Sequence, residues 1–299
     1  IDGIESINAN TRFDNQLFGN DTNNSWLITG QGKGSLNNII DFQGFSTLYG
    51  GNKNDTFTFS TNSSWIRKGV YGGLGSDIVD YSGGGRAVRF DINPNEASVD
   101  VGALAVYGVE ELIGDATSNN TVAISQGDTR WTIDASNAGT LSSNDIGLVT
   151  FKHIGNLTGG SGNDVFSFEG LGTLSGLIDG QGHSSQDTVD VSKAVNFTVQ
   201  LTTQTGVTGF KNIEHFIGNG VNSVIRGDNT ANLWSLSGSN QGNYNGAISF
   251  SNFSKIIGGS GKDSFLIVDA ILDAEIDGGL GDDIFEISNS RVSGLLSGG

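Results

Sequence analysis

The feature that most limits the fold of this chain is a long internal repeat. Three segments centred on Trp26, Trp131 and Trp234 align with one another, and these tryptophans lie 105 and 103 residues apart. Upstream of each lies a second matching block: GIESI, GVEELIG and GFKNIEHFIG. It places a glutamate about 20 residues before each tryptophan: Glu5, Glu111 and Glu214. Because a third matching block follows in the same order (YGGLGSDIVDYS, IDGQGHSSQDTVDVS, IDGGLGDDIFEIS), we expect three copies of one structural unit.

Within a copy, the landmarks recur about every 20–25 residues, which is the length of one rung of a parallel β-helix. A rung cannot bury its apolar face alone, so stacking of rungs would create the core. We therefore predict a right-handed parallel β-helix of about 13–15 rungs, continuous over residues 1–299, with internal repeats at approximately 1–106, 107–207 and 208–299. The alternative is a set of separate β-sandwich domains of about 100 residues.

Composition agrees with an all-β fold of many tight turns. Gly accounts for 47 residues and Pro for only one, and Gly-rich sequences are unfavourable in helices but suit turns. Runs such as FTFS, VRFDI and SFLIVD alternate apolar and polar residues between Gly, Asn and Asp clusters, as strands do. The positions predicted to face inward are Phe57, Phe59, Ile78, Phe166, Phe168, Val189, Phe265 and Ile284.

The charge of the chain limits its partners. The formal net charge is −17 and the pI about 4.3, which argues against nucleic-acid binding through a basic face. The chain contains no Cys, so neither disulfides nor thiolate metal sites are expected. No apolar run of 18 residues is present, so no membrane span is expected, and both ends fall inside the repeat pattern of what we interpret as a longer protein.

The most suggestive motifs are Gly-Asp turns that match or approach the pattern GGxGxD. Glycines let the backbone fold tightly, and an aspartate supplies the hard oxygen that Ca²⁺ prefers. The turns come in pairs one rung apart, so the candidate Ca²⁺ ligands form three pairs: Asp55 with Asp77, Asp164 with Asp187, and Asp263 with Asp283. A structural interpretation stays open, in which each aspartate hydrogen-bonds the backbone of its own turn.

Other candidate sites have simpler interpretations. The three repeated tryptophans are either sugar-stacking platforms or large core residues, and Trp65, outside the pattern, could be exposed. The tripeptide RGD at Arg226–Asp228, known for integrin recognition, is interpreted as shared turn chemistry with a chance arginine. The three histidines occupy non-equivalent positions without ligand spacing, and the acidic residues repeat with the turns, so no catalytic residues are predicted.

The combination of GGxGxDxF, IDGGxGxD, VDYS and NIE…G in units of about 100 residues resembles repeats of secreted bacterial surface proteins. It is similar to the filamentous-haemagglutinin class exported by two-partner secretion, including biofilm-matrix adhesins, and its turns resemble those of RTX proteins. The resemblance implies an extracellular stalk for cell–cell or cell–matrix attachment, stabilised by Ca²⁺, with extracellular polysaccharide, neighbouring cell-surface components or further copies of the chain as partners. Two alternatives stay open: a β-helical polysaccharide lyase or epimerase, and a calcium-dependent carbohydrate-binding module.

Overall fold

The computed structural model of this chain describes residues 3–93, 103–201 and 209–299. None of these residues is helical, and strands account for 54% of them, so the predicted all-β class with parallel sheets is confirmed. The described residues contain no helix that is long and apolar enough to cross a membrane. The predicted repeat boundary at 207/208 lies outside the described residues.

Two compact units make up the chain. The first comprises Ile1–Thr129, Asn137–Ser161 and Leu174–Gly176, and the second comprises Arg130–Ser136, Gly162–Thr173 and Leu177–Gly299. The strands of the first unit are β1 (Ser6–Asn8), β2 (Gln16–Phe18), β3 (Ser25–Gly30), β4 (Lys33–Leu36), β5 (Ile40–Gln43), β6 (Thr47–Gly51), β7 (Thr56–Phe59), β8 (Gly69–Gly73), β9 (Ile78–Asp80), β10 (Arg89–Ile92), β11 (Ala103–Tyr107), β12 (Glu111–Ile113), β13 (Asn120–Ile124), β15 (Ala138–Ser143), β16 (Gly147–Lys152) and β17 (Ile154–Thr158).

The second unit contains the remaining strands. They are β14 (Arg130–Ala135), β18 (Val165–Gly170), β19 (Leu177–Asp179), β20 (Thr188–Ala194), β21 (Thr198–Gln200), β22 (Gly209–Lys211), β23 (His215–Ile217), β24 (Val224–Arg226), β25 (Leu233–Ser239), β26 (Gln241–Tyr244), β27 (Ile248–Ser251), β28 (Lys255–Gly259), β29 (Ser264–Leu272), β30 (Glu275–Gly279), β31 (Ile284–Ser288), β32 (Arg291–Val292) and β33 (Leu296–Ser297).

In the first unit, a parallel succession of strands is interrupted by an antiparallel meander. β3 pairs in parallel with β7, β7 with β9, β9 with β12, and β12 with β16. On the other edge of β3, however, β4 pairs antiparallel with β3, and β5 pairs antiparallel with β4. β1 then pairs in parallel with β5. These antiparallel strands depart from the uniform stack of parallel rungs that the spacing predicted, and the described residues show no closed solenoid.

The second unit repeats this arrangement. β14, β18, β20, β23 and β27 pair in parallel in that order. β27, β26 and β25 form an antiparallel meander, and β25, β29 and β31 continue in parallel. The same succession of partners in both units explains why the sequence repeats at about 100 residues rather than at one rung.

A second parallel sheet lies in each unit. In the first unit its strands β2, β6, β8, β11, β10, β13 and β17 pair in that order, so that β11 inserts between β8 and β10 although β10 comes first in the chain. In the second unit β21, β24, β28, β30 and β33 pair in parallel, as do β19 and β22.

The repeated tryptophans are core residues, as one of the two interpretations held. Trp26, Trp131 and Trp234 are completely buried. Each stacks on the phenylalanine of the neighbouring parallel strand, with ring centroids 5.6–6.0 Å apart: Trp26 on Phe57, Trp131 on Phe166, and Trp234 on Phe265. Trp65 is also buried, at 9% exposure, and so is not the exposed residue that its place outside the pattern allowed.

Most of the predicted inward positions are confirmed, but two are displaced by one residue. Ile78 is only partly buried and Ile284 is 40% exposed. Their neighbours Val79 and Phe285 face the core instead, because Val79 pairs with Phe57 and Phe285 with Phe265. Since side chains alternate along a strand, a shift of one residue moves the predicted side chain to the opposite face.

Candidate functional site: a carboxylate ladder

The predicted Ca²⁺ ligands lie in a single kind of position, the residue immediately before a strand of the first sheet. We call the acidic residues at this position the carboxylate ladder; in the first unit they are Glu5, Asp55, Asp77 and Glu110, and in the second Asp164, Asp187, Glu214, Asp263 and Asp283. Two asparagines, Asn24 and Asn232, occupy the same position before β3 and β25. Parallel pairing of the strands brings successive members next to one another.

Seven ladder carboxylates accept a hydrogen bond from the backbone N–H of the preceding ladder position. In the first unit, Asp55 Oδ1 accepts from the N–H of Asn24 at 2.7 Å, and Asp77 Oδ1 accepts from the N–H of Asp55 at 2.7 Å. The N–H of Asp77 donates to Glu110 Oε2 at 2.7 Å. The side chain therefore provides an acceptor for a backbone N–H that lies just outside the strand ladder.

The second unit contains the same bonds. Asp164 donates its N–H to Asp187 Oδ1 at 2.7 Å, and Asp187 donates to Glu214 Oε2 at 2.9 Å. In the following repeat, Asn232 donates to Asp263 Oδ1 at 2.8 Å and Asp263 to Asp283 Oδ1 at 2.9 Å. The structural interpretation was thus wrong in one respect, because these aspartates bond the backbone of a neighbouring turn instead of their own.

The second oxygen of these aspartates has no donor. Asp55, Asp77, Asp187 and Asp263 are completely buried, and the Oδ2 atom of each, like that of Asp283, has no hydrogen-bond partner. A buried, unpartnered carboxylate oxygen is costly in free energy. The ladder is therefore the part of the described chain with the strongest need for a proton or a cation.

The first glycine of the motif makes room for this oxygen. A Cβ atom on Gly72 would lie 2.5 Å from Asp77 Oδ2 and 2.0 Å from the carbonyl oxygen of Gly108. Equivalent contacts occur between Gly50 and Asp55 and between Gly258 and Asp263. The spacing of glycine and aspartate in GGxGxD is thus explained by packing of the carboxylate against the glycine Cα.

Burial makes these carboxyl groups weaker acids. Desolvation raises the pKa of Asp77 to about 6, and the nearby charges of Asp55 and Glu110 contribute to the rise. Desolvation is also the main cause that raises the pKa values of Asp55, Asp187 and Asp263. Protonation competes with any cation at these oxygens, since either would relieve the unpartnered charge.

The donor set suits Ca²⁺ in its chemistry. Carboxylate and backbone carbonyl oxygens are hard donors, and Ca²⁺ takes six to eight of them. The predicted pairs Asp55–Asp77, Asp164–Asp187 and Asp263–Asp283 are confirmed as neighbours, because a hydrogen bond joins the two members of each pair. Every described pair offers at least one free Oδ2 atom, so these residues would hold the ion if it binds.

Comparisons with known proteins identify no relative. No protein-family model, no curated protein and no solved structure matches this chain. The function must therefore be argued from the residues themselves.

The structure changes the glutamate of the second repeat that is equivalent to Glu5 and Glu214. The N–H groups of Asp41, Thr150 and Ser249 donate to the carbonyl oxygens of Glu5, Glu110 and Glu214, respectively. Glu110, and not Glu111, is therefore equivalent to Glu5 and Glu214. The sequence reads VEEL at this point, and two adjacent glutamates leave the choice open without the strand register. Glu111 instead pairs with Lys152 at 2.6 Å.

An aromatic column in the first unit was not predicted. Phe18, Tyr49, Tyr71 and Tyr107 occupy one face of β2, β6, β8 and β11, with successive ring centroids 4.2–4.6 Å apart and interplanar angles of 6–17°. The three tyrosines are partly buried, and Phe18 at the end of the column is 62% exposed. Its signal was an aromatic residue before a glycine, in LFGN, LYGG, VYGG and VYGV.

The RGD tripeptide is not presented as a flexible tip. Arg226 ends β24, and Asp228 is only 9% exposed. Oδ1 of Asp228 accepts hydrogen bonds from the backbone N–H and the hydroxyl of Thr230, at 2.8 and 2.6 Å. This geometry favours the interpretation as turn chemistry, because the carboxylate is occupied by its own turn.

Proposed function

We propose that this chain is a structural repeat segment of a secreted bacterial adhesin, located at the cell surface or in the extracellular matrix, where it contributes to cell–cell or cell–matrix attachment. The observation that carries the proposal is the carboxylate ladder. The same inter-strand bond recurs in all three repeats at the residue before each strand, so the most distinctive acidic residues of the chain have an architectural use.

The proposal includes a specific fold for the parallel strands. We infer that the parallel strands of each unit are successive turns of a right-handed parallel β-helix, interrupted once per repeat by an antiparallel meander. The recurring register supports it: Val79 pairs with Leu112 where the first repeat meets the second, and Val189 pairs with Phe216 where the second meets the third. A repeat that ends in the register in which it begins can be added or removed without disturbing its neighbours.

Calcium is the second part of the proposal. Ca²⁺ would compensate the unpartnered oxygens of the paired aspartates at neutral pH, where Asp77, with a pKa of about 6, is ionised. Binding to the folded chain alone would stabilise it. Extracellular polysaccharide, neighbouring cell-surface components and further copies of the chain are the proposed partners.

Removal of one whole repeat tests the structural role. The backbone N–H groups of Glu110 and Glu214 both donate to the backbone carbonyl oxygen of the preceding ladder aspartate, Asp77 and Asp187, respectively. Deleting residues 110–213 joins Val109 to Glu214 at equivalent positions and leaves Asp77 facing Glu214. The full chain and the deletion variant would be displayed on non-adherent bacteria through the same outer-membrane anchor, and cell aggregation and retention in a biofilm would be measured.

We expect the full chain to increase aggregation and the deletion variant to fold and keep part of that increase. A structural segment loses length, whereas an enzyme or a single binding site in the middle repeat would lose all of its effect. Two results would contradict the proposal: no increase with the full chain at equal display, or complete loss with a deletion variant that is folded by circular dichroism.

A further inference from the structure

One turn of the second unit departs from the repeated pattern. Between β19 and β20 the sequence reads GQGHSSQD, with two extra residues and one glycine fewer than the GGxGxD motif. His183 lies in this longer turn, and no other ladder turn contains a histidine. The departure is therefore specific to one place in the molecule, unlike the repeated features above.

His183 lies against two members of the carboxylate ladder. Its Nδ1 atom is 3.3 Å from Glu214 Oε2 and 3.6 Å from Asp187 Oδ2. The donor atoms of the three residues all lie within 4.8 Å of one another, and among the residues that the structure describes this is the one group of three or more such side chains. Sequence reasoning missed it because His183 and Glu214 are 31 positions apart and only β20–β23 pairing brings them together.

The ladder holds both carboxylates in place. Asp187 uses Oδ1 to accept from the N–H of Asp164, which leaves its buried Oδ2 without a hydrogen-bond partner and close to the imidazole. Glu214 Oε2 is fixed by the N–H of Asp187. Because these bonds do not involve His183, two of the three donor residues are positioned before any ion binds.

We propose that His183, Asp187 and Glu214 bind one divalent transition-metal ion of the Zn²⁺ class. Zn²⁺ bonds of about 2.0–2.2 Å in tetrahedral geometry place neighbouring donor atoms about 3.3–3.6 Å apart, which matches the two distances to Nδ1. The nitrogen donor distinguishes this group from the all-oxygen pairs, since imidazole suits Zn²⁺, Cu²⁺ and Ni²⁺ while Ca²⁺ prefers oxygen.

The surroundings allow an ion to enter. The side chains of His183 and Glu214 are 30% and 29% exposed, whereas Asp187 is completely buried. One side of the group is therefore open to solvent, where water can complete the coordination. The ion would connect the turn before β20 to the residue before β23, two neighbouring strands of the same sheet.

Calorimetric titration of the full chain with ZnCl₂ at pH 7.5 tests the proposal, with CoCl₂ absorption spectra as a second readout. We expect one Zn²⁺ per chain, and at least about a tenfold rise in Kd for His183→Gln and for Glu214→Gln. Glu110→Gln is the matched control, because Glu110 accepts the same ladder bond in the first unit but has no histidine beside it. His153→Asn removes a different imidazole and keeps a residue that tolerates the positive φ of 57° at that position.

Unchanged affinity in a folded His183→Gln variant would overturn the proposal, as would equal loss in both controls. Absence of 1:1 binding to the unmodified chain at 100 μM Zn²⁺ would do the same and would leave His183 as an ion-pair partner of the carboxylates. If Glu214→Gln fails to fold, His183→Gln carries the test, because His183 lies in an exposed turn outside the strands. Since the readout is Zn²⁺ binding, it is independent of attachment; the titration is done without Ca²⁺, because Asp187 also belongs to the Asp164–Asp187 pair proposed for Ca²⁺.

Discussion

The N–H group of Asp55 donates to Oδ1 of Asp77 at 2.7 Å, and this bond uses only one oxygen of the buried carboxylate. The other oxygen has no donor and lies against the Cα of Gly72. Asn24, two ladder positions earlier, shows how the free position can be filled. Its Nδ2 donates to the carbonyl oxygen of Gly50 at 3.1 Å, which corresponds to the carbonyl of Gly108 beside Asp77.

We expect Asp77→Asn to stabilise the chain at pH 7.5. The amide keeps an oxygen acceptor for the N–H of Asp55 and adds a donor towards the carbonyl of Gly108, as Asn24 does towards Gly50. The expected gain in the free energy of unfolding is about 1–3 kcal/mol. Urea denaturation measures it; Asp282→Asn, at an exposed position of another turn, is the control and should change little.

The pH dependence of stability, compared between the original chain and Asp77→Asn, gives a second prediction. The folded pKa of Asp77, about 6, is above its ordinary value of 3.8, so the folded state holds the proton more tightly. The stabilisation from this proton, up to about 3 kcal/mol in the free energy of unfolding, is fully present below about pH 4. It is lost as the pH rises through 6. The difference in unfolding free energy between the original chain and Asp77→Asn, measured in EDTA from pH 4 to 8, should follow this curve. A constant difference would contradict it.

Calcium should raise the melting temperature at pH 7.5. Ca²⁺ that binds only the folded chain at a concentration 100 times its Kd adds about 2.7 kcal/mol. Thermal melting in CaCl₂, MgCl₂ and EGTA measures the effect, and the double variant Asp55→Asn/Asp77→Asn should reduce it. If Ca²⁺ and EGTA give the same transition, the calcium part of the proposed function is wrong and the ladder is stabilised by protons and backbone bonds alone.

Gly72→Ala should destabilise the chain severely, by about 3 kcal/mol or more. Its Cβ would lie 2.0 Å from a backbone oxygen, which cannot move without disturbing β11, and 2.5 Å from Asp77 Oδ2. Gly182→Ala provides a matched control in another ladder turn, because a Cβ there meets nothing within 4 Å. Equal unfolding free energies for the two variants would refute the packing explanation of the motif.

Tyr71→Ala should cost about 2–4 kcal/mol. The ring stacks between Tyr49 and Tyr107, at centroid distances of 4.6 and 4.2 Å, so the substitution removes two aromatic contacts and opens the column. Leu74→Ala, at a side chain that is 68% exposed in the next turn, should be nearly neutral. A loss of less than 1 kcal/mol in denaturant unfolding would show that the column contributes little to stability.

Much of the architecture could be predicted from the repeat, but the register could not. Gly-Asp turns and alternating strands predicted an all-β fold with parallel sheets, and the pairing of Asp55 with Asp77 followed from their spacing. Ile78 was assigned to the core in place of Val79 because both are β-branched and adjacent. The meander of β3, β4 and β5 escaped prediction since hairpin and rung have similar lengths in sequence.

The residues that surround Asp187 in the ladder could not be predicted from the sequence either. Asp187 was recognised from its turn, but its neighbours Glu214 and His183 come together only through strand pairing and an irregular turn. A search for repeated features ignores a residue that occurs once. The irregular turn is nevertheless visible in the sequence as GQGHSSQD, which departs from the motif and contains a histidine.

The insertion of β11 between β8 and β10 has a consequence for how the chain acquires its structure. A polypeptide that emerges from its N-terminus cannot place β10 beside β8 and continue, because the intervening place belongs to a strand that comes later. If strands add in chain order, β10 has no place in this sheet until β11 has docked on β8, and β13 then adds to β10. Folding of the first unit would therefore advance in long steps that span several strands, and the pause at β10 would leave its edge open to pairing with another chain.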